Sequence, residues 1–147
     1  MTDLNSIRSL VEGDSGLAMV SVARSDGSVH TSLVNAGVSA HPVSGEDVVS
    51  FVTRGSAHKL KLMESAGLCT VAWRNGWKWG SVDGSVEICG PDHALEGVAT
   101  ADLPELLRQV FRDAGGDHDD WDEYDRVMAE ERRTAVFVKP NRFLGVV

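Results

Sequence analysis

The sequence contains little cysteine, little proline and few basic residues. Its 147 residues include 2 cysteines, 4 prolines, and 14 lysines and arginines against 22 aspartates and glutamates. The formal charge of −8 argues against a nucleic-acid-binding protein, because contact with phosphate backbones requires a basic face. No apolar run approaches the roughly 20 residues that span a membrane. The length and the 42% hydrophobic content predict one soluble domain over residues 1–147, with no nucleic-acid or membrane partner.

The two cysteines also bear on the cellular compartment. The N-terminal segment lacks the basic-then-apolar pattern of a signal peptide, which predicts a cytoplasmic protein. Cys69 and Cys89 form no CxxC motif. Because disulfides are rare in the cytoplasm, we expect both to be reduced, buried and inert thiols.

Turn signals and hydrophobic periodicity predict a mainly β chain with some helices. Asp26-Gly27 is a typical hairpin turn, and Asn75-Gly76 is expected to form a type I′ hairpin turn. Gly84 indicates a bulge or bend in the long fifth strand. Strands are expected at 17–24, 29–38, 48–53, 68–74 and 77–89, followed by one or two strand-like pieces around Pro140. Helices are expected at 4–13, 56–65 and 103–114, and within 117–133. This dominance of antiparallel hairpins predicts a small closed or partly closed barrel.

Basic residues gather where the third strand meets the next helix, in the segment TRGSAHKLK at 53–61. Ser56 is expected to cap the helix, whose first backbone N–H groups are free donors. Arg54 supplies a bidentate fork and Lys59 a mobile positive charge, while Gly55 permits close backbone approach. Thr53 adds a hydroxyl donor, so the segment predicts a phosphate site. The alternative is a solvated helix start whose basic residues offset an acidic surface.

Other motifs in the sequence predict no second site. The acidic run DHDDWDEYD lacks the spacing and the glycine of a calcium loop, and is better explained as an acidic first helical turn. The histidines form no ligand pair at helical spacing. There is no GxSxG elbow and no GxGxxG after a strand. The sequence therefore predicts no metal site, no Rossmann cofactor site and no dedicated catalytic acid or base.

Four segments, taken in order, resemble the split β-barrel flavin/deazaflavin oxidoreductase superfamily, which includes the pyridoxamine 5′-phosphate oxidase-like proteins. They are ARSDGSVHTSLVNAG, FVTRGSAHK, GWKWGSVDGSVEICGP and DHDDWDEYDRVMAEERRTAVFVKPNRF. The sequence is most similar to the actinobacterial branch that uses the deazaflavin coenzyme F-420. The resemblance implies a six-stranded antiparallel split barrel with peripheral helices. It also implies a homodimer with cofactors in grooves at the dimer interface.

The resemblance further implies which residues bind the cofactor. The segment after the third strand would hold its phosphate, through Thr53, Arg54, Ser56, Ala57, His58 and Lys59. The second strand would flank the ring, through Ser32, Val34 and Asn35. Trp77 and Trp79 would approach the site from the partner subunit. Lys61, Leu62 and Met63 stand where family members often carry an asparagine, so no side-chain contact is expected from that helix turn.

The function implied by the resemblance is hydride transfer from reduced coenzyme F-420 to an electron-poor small molecule, such as an unsaturated one. No residue of the given sequence follows VKPNRFLGVV, so we expect no segment with the basic and histidine residues that read a pyridoxal phosphate substrate, which argues against vitamin salvage. Two alternatives remain open. One is an FMN-binding oxidoreductase of the same fold, and the other is a cofactor-binding protein without turnover.

Overall fold

The six predicted strands form one closed antiparallel barrel in the computed structural model, which describes residues 2–146. The strands are β1 (Leu17–Ala23), β2 (Val29–Ala40), β3 (Asp47–Thr53), β4 (Leu68–Asn75), β5 (Lys78–Cys89) and β6 (Thr134–Val146). Around the barrel they follow the order β1-β2-β3-β6-β5-β4, and β4 pairs back with β1. The prediction of a six-stranded antiparallel barrel is therefore confirmed.

Four helices surround the barrel: α1 (Leu4–Gly13), α2 (His58–Ala66), α3 (Leu103–Asp113) and α4 (Trp121–Glu130). Alternate residues of the strands point inward and are buried, as period-two alternation requires. The barrel core includes Val20, Val49, Phe51, Val71, Trp73 and Val82. The side chains of α1 and α2, such as Ile7 and Leu60, join this core. A second cluster lies outside the barrel, where α3 and α4 pack on β3 and β6 through residues such as Val48, Leu107, Val110 and Phe137.

The last strand, β6, runs through Pro140 without interruption. The sequence alone does not decide between one strand and two around this proline. Gly84 pairs with Pro140 and Asp83 with Arg142, so Asn141 is an extra residue in β6. This register shift is a β-bulge, the kind of position where a proline without an N–H is tolerated. The irregularity predicted in β5 at Gly84 lies at that position, but the extra residue belongs to β6. The bulge allows a single strand to continue past Pro140.

The helix after β3 begins two residues later than expected. α2 starts at His58, with Ala57 in the N-cap position and no side-chain cap hydrogen bond. The predicted cap at Ser56 is therefore wrong. The chain makes a turn first, in which the Ala57 N–H donates to the Arg54 carbonyl at 3.1 Å. The predicted C-terminal stop is confirmed, because Gly67 has a φ of 73° and donates to the Met63 carbonyl.

The hairpin between β4 and β5 has a different turn from the one predicted. Asn75 pairs with Lys78, so the two loop residues are Gly76 and Trp77. Gly76 has a φ of 63°, whereas neither Asn75 nor Trp77 has a positive φ. A positive φ at the first loop residue alone is typical of a type II′ turn rather than type I′. Trp77 thus lies in the turn and not in the strand.

Both cysteines are buried and free, which confirms that prediction. None of the helices in residues 2–146 is long and apolar enough to cross a membrane.

Candidate functional site

A cavity of about 510 Å³ opens between the barrel and the outer helices α3 and α4. Strands β1, β2 and β3 form one wall, α3 and α4 form the opposite wall, and the start of α2 closes one end. Its lining residues are Leu17, Leu33, Val34, Asn35, Val52, Thr53, Arg54, Ala57, Lys59, Val110, Phe111, Tyr124, Met128 and Arg133. The cavity is mostly apolar, and its charged side chains are all basic.

The basic residues of the cavity come from three different elements. Arg54 follows β3, Lys59 lies in the first turn of α2, and Arg133 lies between α4 and β6. Burial and the nearby Arg133 guanidinium lower the pKa of Lys59. Over residues 2–146, Glu131 is the carboxylate that forms ion pairs with Arg54 and Arg133, and Lys59 forms none. Three positive charges against one negative charge favour an anionic ligand.

The start of α2 adds backbone donors to this basic end. The first helical residues, His58 and Lys59, direct their N–H groups to no backbone carbonyl in residues 2–146, and no side chain caps the helix. The N-terminus of a helix carries a partial positive charge, so free N–H groups there bind anions. Ala57 and Lys59 line the cavity, which places this end of α2 beside Arg54.

Asn35 lies on the wall formed by β2. Its Nδ2 group donates to the carbonyl oxygens of Ser15 and Ala114, the latter at 3.3 Å, and so ties β2 to the end of α3. Its Oδ1 atom is buried and has no hydrogen-bond partner among residues 2–146. A buried acceptor without a partner is costly, and a ligand N–H would satisfy it.

Tyr124 lies in the cavity wall, and its hydroxyl already has a hydrogen-bond partner. The hydroxyl donates to the Leu107 carbonyl at 3.2 Å, which joins α4 to α3. Burial raises the pKa of Tyr124 to about 12. A hydroxyl with this partner and this pKa is poorly suited to donate a proton near neutral pH.

The structure brings together six of the residues that the sequence assigned to the site, namely Val34, Asn35, Thr53, Arg54, Ala57 and Lys59, which all line the cavity. Ser32, Ser56 and His58 do not line it. The Ser32 hydroxyl is buried without a partner in residues 2–146. The His58 ring lies against the His30 ring, with centroids 5.5 Å apart.

Trp77 and Trp79 lie apart from this cavity, at the tip of the β4–β5 hairpin. Together with Arg74 and Gly76 they line a shallow second cavity. Trp77 is 96% exposed and Trp79 is 41% exposed. Within one chain, these tryptophans therefore contribute nothing to the basic cavity.

Several lining residues were not predicted as site residues. Phe111 and Met128 were expected only as residues of helices. Arg133 follows α4, where the sequence leaves two interpretations open, a basic residue that satisfies the helix dipole or a contact to the acidic coenzyme tail. Only the packing of α3 and α4 over β2 and β3 brings these side chains to the cavity, and no local sequence signal reports that packing.

No protein-family model matches the chain. Solved structures do share its fold. A conserved hypothetical protein of Mycobacterium tuberculosis is 16% identical, with a TM-score of 0.67 over 99% of this chain and 84% of that one. An F-420 reductase is 16% identical, with a TM-score of 0.61 over 93% and 94%. A pyridoxamine 5′-phosphate oxidase-related, FMN-binding protein of Nostoc punctiforme is 9% identical, with a TM-score of 0.57 over 95% and 78%.

At sequence identities this low, the structural similarity shows a shared fold and nothing more. The chain has the split β-barrel fold of flavin and deazaflavin oxidoreductases, which confirms the fold that the sequence resemblance implied.

Proposed function

We propose that this protein binds a flavin-type cofactor in the basic cavity and uses it as an oxidoreductase. The finer proposal is that the cofactor is coenzyme F-420 and that its hydride passes to an electron-poor small molecule. The observation that carries the proposal is the division of one cavity of about 510 Å³ into a basic end and an apolar remainder. A cofactor with an anionic phosphate and a planar ring requires both parts.

The residues present fit such a group. Arg54, Lys59 and the free N–H groups at the start of α2 would hold the phosphate. Val34 and Phe111 would contact the ring from opposite walls. The unpartnered Oδ1 of Asn35 would accept a hydrogen bond from an N–H at the ring edge. Ser56 and His58 do not line the cavity, so the proposal assigns their side chains no contact with the cofactor.

A reduced deazaflavin would supply a hydride, and the chain itself would bind, orient and exclude water. The walls formed by Val110, Phe111 and Met128 keep that part of the cavity apolar. Because the Tyr124 hydroxyl is committed to the Leu107 carbonyl, we propose that any proton the product needs comes from solvent.

We further propose that the protein acts as a homodimer whose partner subunit closes the cavity. Exposed apolar side chains lie on two pairs of neighbouring strands, β1–β2 and β5–β6, with β4 between them. We call this set the apolar band: Leu17, Met19, Leu33, Trp79, Leu144 and Val146. Strand pairing places Met19 next to Leu33, and Trp79 next to Val146. Leu17 and Leu33 also line the cavity, so a second copy seated on the band would cover the mouth of the cavity. Trp77 and Trp79 of that copy would then complete the site.

One experiment distinguishes the finer proposal from its two alternatives. It is a titration of the purified protein with FMN and with coenzyme F-420 side by side. Tighter binding of coenzyme F-420 supports the finer proposal. Tighter binding of FMN makes the protein an FMN-dependent oxidoreductase of the same fold. Binding of either cofactor without hydride transfer to any unsaturated acceptor identifies a cofactor-binding protein without turnover. If neither cofactor binds, the proposed function is wrong.

The sharpest test of the basic end is Lys59→Ala. We expect the variant to lose about 1.5–3 kcal/mol of cofactor binding, the usual worth of hydrogen bonds to charged groups. The affinity of the parent should also fall with added salt, because a partly exposed anion site is screened. Cofactor fluorescence or absorbance in a titration measures both effects.

The matched control is Lys78→Ala, which removes the same charge from the exposed start of β5. Its cofactor affinity should equal that of the parent, and both variants should unfold at the parent's temperature. Equal binding by Lys59→Ala and the parent at low salt would show that the segment TRGSAHK is only a helix start on an acidic surface.

A further inference from the structure

The turn between α4 and β6 forms part of the basic end of the cavity. It contains Glu131 and Arg133, and its middle residue, Arg132, has a left-handed φ of 49°. The Arg132 guanidinium binds the Asp92 carboxylate through two hydrogen bonds, one of 2.8 Å. The Arg133 N–H donates to the Met128 carbonyl at 2.9 Å, a backbone hydrogen bond that closes the end of α4 around this left-handed residue.

The segment after β3 packs tightly against this turn. A Cβ atom on Gly55 would lie 2.6 Å from the Arg132 carbonyl oxygen, so only glycine fits there without a shift. The Gly55 N–H donates to the Glu131 carbonyl at 3.4 Å. The close backbone approach predicted for Gly55 is therefore made to this turn. As a result, the side chains of Arg54, Glu131 and Arg133 are held together.

Glu131 is the carboxylate that lies between the two arginines. Its Oε2 atom is 2.7 Å from Arg54 Nε and 3.3 Å from Arg133 Nη2. Arg133 also has a buried Nε donor without a hydrogen-bond partner in residues 2–146. The guanidinium groups of Arg54 and Arg133 thus already contact a carboxylate of the protein, and the Nε donor of Arg133 remains unused among residues 2–146.

We infer that Glu131 occupies the position of an anionic ligand group, and that a phosphate or carboxylate of the ligand displaces it to bind Arg54 and Arg133. The inference rests on the proposed function, because the cofactor phosphate is the anion expected there. It assigns Arg133 a direct part in ligand binding. It assigns Glu131 the role of a resident competitor, which keeps two facing cations paired when no ligand is bound.

Two features of the site support displacement over a purely structural pairing. The Glu131 carboxylate holds Arg54 by a single short contact, and the Arg54 side chain is 64% exposed. Such a pair is worth little in water, so a ligand with more charge replaces it readily. Burial, and to a smaller extent the Arg133 guanidinium, lower the pKa of Lys59, and both residues line the cavity, so a phosphate between them would relieve the repulsion of two cations.

The test is Glu131→Gln, which keeps the shape of the side chain and removes its charge. We expect Glu131→Gln to bind FMN and inorganic pyrophosphate about 3- to 10-fold more tightly than the parent, because the ligand no longer competes with a carboxylate. The matched control is Glu130→Gln, one residue earlier, whose carboxylate pairs with Arg126 on the exposed face of α4. This control makes the same change in net charge and should leave both affinities unchanged. Arg133→Gln should weaken binding of both ligands.

Each outcome of the titrations has a separate meaning. Weaker or unchanged binding by Glu131→Gln would overturn the inference, because Glu131 would then position the arginines or lie outside the ligand's path. Tighter binding by Glu130→Gln to the same extent would overturn it as well, since net charge alone would explain the gain. Pyrophosphate lacks a ring, so its titration tests the inference even if the parent binds neither FMN nor coenzyme F-420. If pyrophosphate and FMN bind to neither the parent nor Glu131→Gln, the inference fails together with the phosphate site.

Discussion

At the scale of single residues, Cys69 shows how burial controls chemistry in this barrel. Its side chain belongs to the barrel core and is 2% exposed. Burial, with a smaller contribution from the Asp83 carboxylate, raises the pKa of Cys69 to about 12. The thiolate is the reactive form of cysteine, so this thiol is inert near neutral pH.

The raised pKa makes the stability of the protein depend on pH. In the unfolded chain the Cys69 thiol ionises near pH 9, whereas in the folded protein it stays protonated until about pH 12. Its contribution to stability is therefore complete below pH 9 and is lost as the pH rises through this interval. We expect the stability gap between the parent and Cys69→Ala to shrink from pH 9 to pH 11, by at most about 1.4 kcal/mol per pH unit.

Urea unfolding of both proteins at several pH values measures this gap. A gap that stays constant from pH 7 to pH 11 would mean that the Cys69 thiol ionises equally in the folded and unfolded states.

Sequence reasoning can bring together residues whose position follows from local order. Arg54 and Lys59 flank the start of α2, so their place at one end of a cavity follows from the strand-to-helix junction. For Arg132 and Arg133 the sequence leaves a contact to the coenzyme tail open, and it could not show that Arg133 lines the cavity while Arg132 points to Asp92. The left-handed turn at Arg132 separates the two neighbours, and the partner of the Arg132 side chain, Asp92, is distant in the sequence.

At the scale of elements, β5 and β6 form the longest strand pairing of the barrel. A Cβ atom on Gly84 would lie 2.0 Å from the Lys139 carbonyl oxygen. Gly84→Ala should therefore force a backbone shift at the bulge and destabilise the fold by about 1–3 kcal/mol, the usual cost of overpacking. Denaturant unfolding measures this loss.

The control for this substitution is Ser85→Ala, which changes the next, exposed residue of the same strand. We expect it to change stability by less than about 0.5 kcal/mol, as surface substitutions usually do. Equal stability of Gly84→Ala and the parent would indicate that the bulge yields without cost.

The helices and strands also show which structural features cannot be predicted from local sequence. Strands, hairpins and amphipathic helices were predicted because their periodicity is local. The start of α2 was misplaced by two residues, since a turn closed by the Ala57 N–H competes with the cap that Ser56 offers. The position of α3 and α4 over β2 and β3 was not predicted, because an apolar helix face does not specify the surface on which it packs.

At the scale of the whole molecule, the apolar band remains on the surface of the isolated chain. Leu144 is 52% exposed and Val146 is 65% exposed, beside Trp79. Large exposed apolar areas are rare on monomeric proteins and mark interfaces, so we propose that these exposed side chains are covered by a second copy. Because the band reaches the mouth of the cavity at Leu17 and Leu33, dimer formation and cofactor binding should be coupled.

The last prediction tests this coupling with Leu144→Glu. A carboxylate in the middle of an apolar interface loses its hydration without gaining a partner, so we expect the variant to be a monomer of 15.8 kDa. The parent should have twice that mass by light scattering. Cofactor affinity should fall by about tenfold or more in the monomer, because one wall of the site is lost.

The control is Val43→Glu, which places the same charge at an equally exposed residue, 53% accessible, outside the band. This control should remain a dimer with the parent's affinity. A parent mass of 15.8 kDa at micromolar concentration would contradict the homodimer, and unchanged cofactor affinity in a monomeric Leu144→Glu would show that each chain binds its cofactor alone.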